Sequence, residues 1–410
     1  MKLLRRSAAG LSLAAVLAVA AGAGGASAAG PAQGDGAGPA PSAGGLTVKD
    51  YTVLGPVDQN AHVVGRDNGQ SVLYQGRSYW FFDDTMLQDP EGFLSSTSAS
   101  TSDLDASDGI TLRSTTVFDR TETTTPTEFV PYSAAETAFQ EEHASDDCTG
   151  STDVNCGTQF AFWPGAAVAD PSHHRILVFY GKLCRGGLDT GPCASGFVGQ
   201  ALGSGIVSVD MRTHAITRLK VEHQDPALTS PEGHDPTLLF APAENWGNGG
   251  AVVVGQELYA YGSCTSANDC AVARVRLGDV QDHDAWTYYT GDDARGRAQW
   301  SHDPSAAVAV MKGGAAGETV QYDPTTHGYT NTFMPSPFLD KNVYYQTAPH
   351  PWGPWSSQQT LFTTQSTDGL DYAAFAHPEY TTHHGLTRYY TYYASSTGQQ
   401  MLVKVDFKES

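Results

Sequence analysis

Basic residues are scarce in this chain: 23 Lys and Arg stand against 44 Asp and Glu, for a formal charge of −21. A surface so acidic excludes nucleic acid and anionic membrane as natural partners. Helical periodicity is nearly missing, which removes bundles and mostly helical folds. After the first 20 residues no long apolar run recurs, so membrane insertion is not expected. There is no serine-nucleophile elbow, HExxH, P-loop or glycine-rich dinucleotide signature, and no CxxC spacing. These absences set aside the commonest hydrolase, metalloprotease, nucleotide and zinc readings.

The N-terminus has the parts of a secretory signal. Lys2, Arg5 and Arg6 form a basic start, Leu11–Ala20 is apolar, and Ala26-Ser27-Ala28 is a cleavage site. Residues 1–28 are therefore read as a signal peptide and 29–46 as a disordered Gly/Ala/Pro-rich leader. Residues 47–410 are expected to be one secreted domain. An even cysteine count in an exported chain points to disulfides. The close spacing in sequence predicts Cys148–Cys156, Cys184–Cys193 and Cys264–Cys270.

The pattern of the domain is clearest in Gly65–Met86, GRDNGQSVLYQGRSYWFFDDTM. Two β-rich runs, Ser71–Tyr74 and Tyr79–Phe82, are split by Gln75-Gly76-Arg77, a hairpin signal. The same grammar returns four times, with turns at Asp170–Arg175, Gly255–Glu257, Asp323–Gly328 and Thr382–Gly385. Five degenerate hairpin repeats predict an all-β, five-bladed propeller stapled by short disulfide loops. The C-terminal strand, Leu402–Phe407, is expected to complete the first blade and close the ring. The stretch Leu87–Asn155 reads as loop with short strands at Thr111–Phe118 and Glu128–Tyr132. Asp103–Gly109 misses the EF-hand template by one glycine position and reads as a solvated turn.

In order along the chain, several short motifs resemble those of a known group. They are Gly65-Arg66-Asp67-Asn68-Gly69, Tyr79–Thr85, Trp163-Pro164-Gly165-Ala166, Ala273-Arg274-Val275, Glu318–Tyr322 and Ala348–Ser356. The chain resembles a secreted actinobacterial propeller family, domain-of-unknown-function family 4185, which is related to endo-D-arabinanase-type glycoside hydrolases. The resemblance spans Tyr51 to the C-terminus. It implies a five-bladed propeller and an arabinan-like furanoside as substrate.

Propeller sites form where the innermost strands meet the central channel, and glycoside hydrolysis needs two carboxyl groups there. The candidates are Asp67 as base or nucleophile and Glu318 or Glu379 as acid. Arg66, Asp84, Trp163, Asn245, Trp246 and His377 are candidate substrate contacts, with Asp84 as an acceptor or an orienter of Arg66. Trp300 is a further aromatic able to stack on a sugar face. Glu232 and Asp235 rank below these as loop residues. No cofactor is required, although a structural calcium ion in the central channel, contacted by His377, is compatible with the fold. The expected partner is an extracellular polysaccharide or cell-wall glycan bound by a monomer. The alternative is a propeller that binds carbohydrate or a cell surface without catalysis, and fold alone does not decide between them.

Overall fold

The structure, a computed structural model, describes residues 46–119, 124–193, 198–247, 249–314, 316–337, 341–366 and 369–409. The signal segment 1–28 lies outside the described residues. So does the leader 29–46, except for Leu46, which opens a strand.

Alternating apolar and polar residues and glycine-bearing turns produce five antiparallel sheets arranged as a five-bladed β-propeller. The innermost strands of the blades are, in order, Val63–Tyr74, Gln159–Asp170, Gly250–Val254, Glu318–Asp323 and Asp371–Ala376. Each is followed by a hairpin partner that carries the bulky side chains packed between blades. One inter-blade core contains Phe179, Phe240, Trp246, Trp286 and Tyr288. Another, between the first two blades, contains Phe81, Phe129, Phe162 and Tyr180.

Ring closure differs from the expectation. Leu402–Phe407 lies in the strand Gln399–Glu409, which pairs with Thr387–Ala394 on one side and with Leu46–Pro56 on the other. The N-terminal strand thus completes the last blade, and the first blade is built from its own hairpin. The C-terminal strand meets the first blade through a side chain: the Gln400 amide donates to the carbonyls of Arg66 (3.2 Å) and Asn68 (2.7 Å). The blades touch so closely here that a Cβ on Gly65 would lie 2.6 Å from the carbonyl oxygen of Gly398.

The segment between the first two blades also departs from the expectation. Of the two strands expected there, only Thr111–Leu112 forms, pairing in parallel with Asp58–Gln59. A helix, Ala134–Glu142, follows, started by a capping box in which Ser133 and Glu136 bond each other's backbone. The three disulfides match the expected pairs, with Cα–Cα distances of 5.8, 5.1 and 4.0 Å. Among the described residues no helix is long and apolar enough to cross a membrane.

Candidate active site

The site is made by a fault in the first hairpin. Its strands pair Arg66 with Thr85 and then Asn68 with Phe82, so the single residue Asp67 stands opposite both Asp83 and Asp84. This is a β-bulge, which re-aims side chains where a regular ladder would alternate them. A second register shift follows between Asn68 and Gln70. Asn68 (φ 64°) and Gly69 (φ +106°) take the left-handed conformations that this shift requires. Three carboxyl groups are thereby drawn to one corner of the channel mouth.

Their surroundings separate their roles. Tyr372, on the inner strand of the fifth blade, donates its hydroxyl to Asp67 Oδ2 at 2.5 Å, and Asp67 Oδ1 has no hydrogen-bond partner. Burial and the nearby Asp84 carboxylate push Asp67 up to about 7. Burial and Asp67 push Asp83 well above the ordinary carboxylate range. Asp84 is raised by burial but is held by the Arg185 guanidinium, which pulls it back. Arg185 grips it with two bonds of 2.9 and 3.2 Å, and Trp163 Nε1 donates to it at 3.0 Å. The Arg185 guanidinium also lies 5.6 Å from the ring centres of Trp163 and Phe93. The corner therefore combines two carboxyls that favour the protonated form, one fixed by an arginine, and a half-buried indole.

Asp67, Asp84 and Trp163 are thus brought together, and the rest of the expected set is not. Arg66 is fully buried with its guanidinium 3.6 Å above the Phe82 ring; burial lowers it to about 9. It donates to Gln59 Oε1 rather than to Asp84, so the orienter role assigned to the Arg66–Asp84 pair passes to Arg185. Trp246 is 0% exposed and packs on Tyr288, so it is a core residue with no face left for a sugar. Asn245 is exposed on the adjoining turn with φ 49°. Trp300 joins Tyr259, Tyr289 and Trp352 in a separate aromatic cluster between the third and fourth blades.

His377 and Glu379 stand at the wrong end of the channel. The inner strand of the fifth blade begins at Asp371, so these residues follow its last residue instead of preceding its first. His377 is 1% exposed, and both ring nitrogens are taken, by Ser71 Oγ (2.7 Å) and Thr391 Oγ1 (2.8 Å). Burial drives its pKa down to about 3, so it is a neutral structural group that has no site left for a cation or substrate. Glu379, raised by burial, accepts from Ser78 Oγ at 2.5 Å. Ser71 is four residues beyond Asp67 on the same strand.

Glu318 opens the inner strand of the fourth blade and is 1% exposed. Its Oε2 accepts from the Gly314 amide at 3.1 Å, and Oε1 has no partner. A Cβ on Gly249 would lie 3.0 Å from Oε1, and one on Gly313 2.1 Å from Oε2, so glycines make room for the carboxyl. Burial lifts it to about 8, with no charged neighbour contributing. The channel at this depth is filled by Gln70, whose amide donates to Gly249 O at 3.2 Å, and by Phe375 against Gly317.

These residues do not fit a channel calcium ion, which takes six to eight oxygens, several of them anionic. Among the described residues the one grouping of three potential metal-ligating side chains is elsewhere, at Glu136, Glu232 and Asp235. Its centre is filled by the Lys182 ammonium, 2.6 Å from Glu136 and 2.8 Å from Asp235, with Glu232 also in contact. Arg218 holds Glu136 with two further bonds of 2.9 and 2.8 Å. Glu232 and Asp235 are therefore members of a buried ion network that ties the helix to the second blade.

Sequence reasoning missed Asp83, Arg185 and Tyr372 as members of the site. Asp83 was visible as an acid after an aromatic run. Arg185 ends the second hairpin strand of its blade, much as Asp84 nears the end of its own, and that equivalence was the available signal.

One solved structure is similar enough to this chain to support the fold. A protein of Bacteroides ovatus, provisionally described as a hydrolase, superposes with a TM-score of 0.52 at 15% identity, over 84% of this chain and 86% of that one. Remoter likenesses include a GH43_1 enzyme from Xanthomonas citri complexed with xylose (TM-score 0.43, 10% identity, 87% of this chain and 89% of that one). Another is an exo-β-1,3-galactanase from Clostridium thermocellum (TM-score 0.45, 9% identity, 86% of this chain and 61% of that one). No curated protein matches the chain in sequence. The family match falls on DUF5005, where the motifs had pointed to family 4185. Residues 57–397 match the model of the domain of unknown function DUF5005, and the chain belongs to that family.

Proposed function

We propose that this protein is a secreted glycoside hydrolase acting on an extracellular polysaccharide, with Asp67 and Asp83 as its acid–base pair. The observation that carries the reading is the bulge that sets Asp67 opposite Asp83 and Asp84 at the channel mouth. Two carboxyls pushed apart in proton affinity are what glycosidic cleavage requires. Asp83, raised by burial and by the neighbouring Asp67, is the proton donor to the leaving oxygen. Asp67, raised to about 7, is ionised in a good fraction of molecules near neutrality and serves as base or nucleophile. Tyr372 fixes one Asp67 oxygen and leaves the other for a water or an anomeric carbon. Asp84, neutralised by Arg185, anchors the Trp163 indole as a wall for a sugar ring. Glu318, sealed from solvent, takes no part in this scheme.

The three disulfides and the signal-like N-terminus support an extracellular setting, with the protein acting as a monomer on cell-wall glycan. An arabinan-like furanoside is the substrate that the motif resemblance favours. The test is a reducing-end assay on arabinans, arabinogalactans, xylans and galactans, followed by Asp67→Asn and Asp83→Asn on any polymer cleaved. Each variant should fold and lose at least about 10²-fold in turnover, the scale of a positioned acid or base. Full turnover in either variant removes that residue from the pair. Retained binding with no product from any polymer makes the protein a carbohydrate-binding propeller.

A further inference from the structure

We propose that Val64, Met86 and Phe93 form a binding subsite for the apolar face of an uncharged sugar chain, running outward from the carboxyl corner. The proposal rests on the glycan-active reading of that corner. Large apolar side chains are seldom left exposed as a group without a binding role. Here Val64 is 49%, Met86 43% and Phe93 45% exposed. Met86 and Phe93 are directly opposed across neighbouring strands, and Met86 faces Gly65, the residue after Val64. The three thus lie side by side at one end of the first blade.

The stripe is continuous with the candidate site. Met86 is two residues from Asp84 on the same strand, so the two point to the same face of the sheet. The Phe93 ring packs over Arg185, the arginine that holds Asp84. Trp163 packs over the same guanidinium. A chain leaving the Asp67–Asp83 corner over Trp163 therefore reaches Phe93 and Met86 next. Sugar rings present C–H faces that stack on aromatic and aliphatic side chains, while their hydroxyls stay in water.

The charge of the protein restricts the occupant. The Arg185 guanidinium is already paired with Asp84, and the protein carries 44 acidic against 23 basic residues. A uronate- or sulfate-bearing polymer would meet like charge along its whole approach, and a neutral polymer would not. The class is therefore a neutral polysaccharide with the C–H faces of its rings free.

The experiment uses the full mature chain. Affinity gels containing linear arabinan, xylan or galactan are run against a gel containing polygalacturonate. The parent, Phe93→Ala and a Phe93→Ser/Met86→Ser double variant are compared, with thermal melting to confirm folding. At least one neutral polymer should retard the parent. The double variant should bind that polymer about tenfold or more weakly, and Phe93→Ala should fall between the two. Polygalacturonate should bind the parent at least about tenfold more weakly than the neutral polymer does. Unchanged affinity in the folded double variant overturns the subsite while leaving the hydrolase reading intact, because cleavage by the parent reports on that reading separately. Equal affinity for polygalacturonate overturns the neutral class. Sedimentation that shows the parent dimerising and the double variant monomeric assigns the stripe to self-association and overturns the proposal. Absence of both binding and cleavage in the parent overturns the subsite together with the glycan reading.

Discussion

Replacing Asp67 with Asn should make the protein less active and more stable at once. In the folded chain Asp67 keeps its proton up to about pH 7, whereas an unfolded aspartate releases it near 3.8. Below about pH 4 both states hold the proton, and the contribution of Asp67 to stability is at its full value. As the pH rises, the unfolded state loses its proton first, so this contribution falls continuously until the folded group ionises near 7. Above 7 the protein carries a buried carboxylate that asparagine would spare it. The shift corresponds to about 4 kcal/mol at 1.36 kcal/mol per unit. Asp67 retains contact with solvent, so screening reduces this to about 1–2 kcal/mol. In a domain of this size that is a rise of roughly 1–3 °C in melting temperature. Thermal unfolding of parent and Asp67→Asn at pH 4, 6 and 8 is the assay. The curves should coincide at pH 4 and separate at pH 8, with the variant higher, while turnover falls at least about 10²-fold. A variant that melts at or below the parent at pH 8 refutes the account of Asp67 as a group held against its charge.

Three further outcomes follow from the same geometry. The kcat/KM on any cleaved polymer should fall about tenfold per pH unit below about 7, as Asp67 becomes protonated; a profile flat from pH 5 to 7 contradicts Asp67 as the base. Glu318→Gln should leave turnover at neutral pH within about twofold, because the carboxyl is already neutral below about 8, and should raise the melting temperature relative to the parent progressively from pH 4.5 up to about 8, with a constant gain above that pH; a 10²-fold loss would return Glu318 to the catalytic set. Lys182→Met should destabilise by about 3–5 kcal/mol in denaturant titrations, since Glu136, Glu232 and Asp235 are then left buried with Arg218 alone; a loss under about 1 kcal/mol would mean that the network is not desolvated.

The fold was legible because its signals are local. Glycine turns between aromatic runs fix a hairpin wherever they occur, and short cysteine spacings leave few closing partners, so blades and disulfides could be read residue by residue. The helix Ala134–Glu142 went unread: its body is weakly amphipathic, and its one sequence signal, the capping box Ser133-Ala-Ala-Glu136, is only four residues long. The site depended on register, which is not local. Nothing in Phe82-Asp83-Asp84-Thr85 declares that two of its residues will oppose one residue of the partner strand; that follows from the left-handed Asn68-Gly69 pair and from Gln400 reaching over from another blade to bond their carbonyls. The fifth blade shows the cost of a small misalignment. His377 and Glu379 were expected where an inner strand enters the channel, but that strand runs Asp371–Ala376, which puts them past its far end and leaves Tyr372 near its start.

The pairing of Leu46–Pro56 with Gln399–Glu409 has a consequence for how the molecule is made. Among the described strands, the one that leaves the ribosome first finds its sheet partner in the one synthesised after all the others. Four blades can assemble in turn as their hairpins emerge, but the fifth must wait for both ends of the propeller, and until then the first strand remains an unpaired β-segment. Folding should therefore finish in one late, non-local step whose rate is set by the search of the chain ends for each other, and linking them covalently should speed that step more than any repair within a blade.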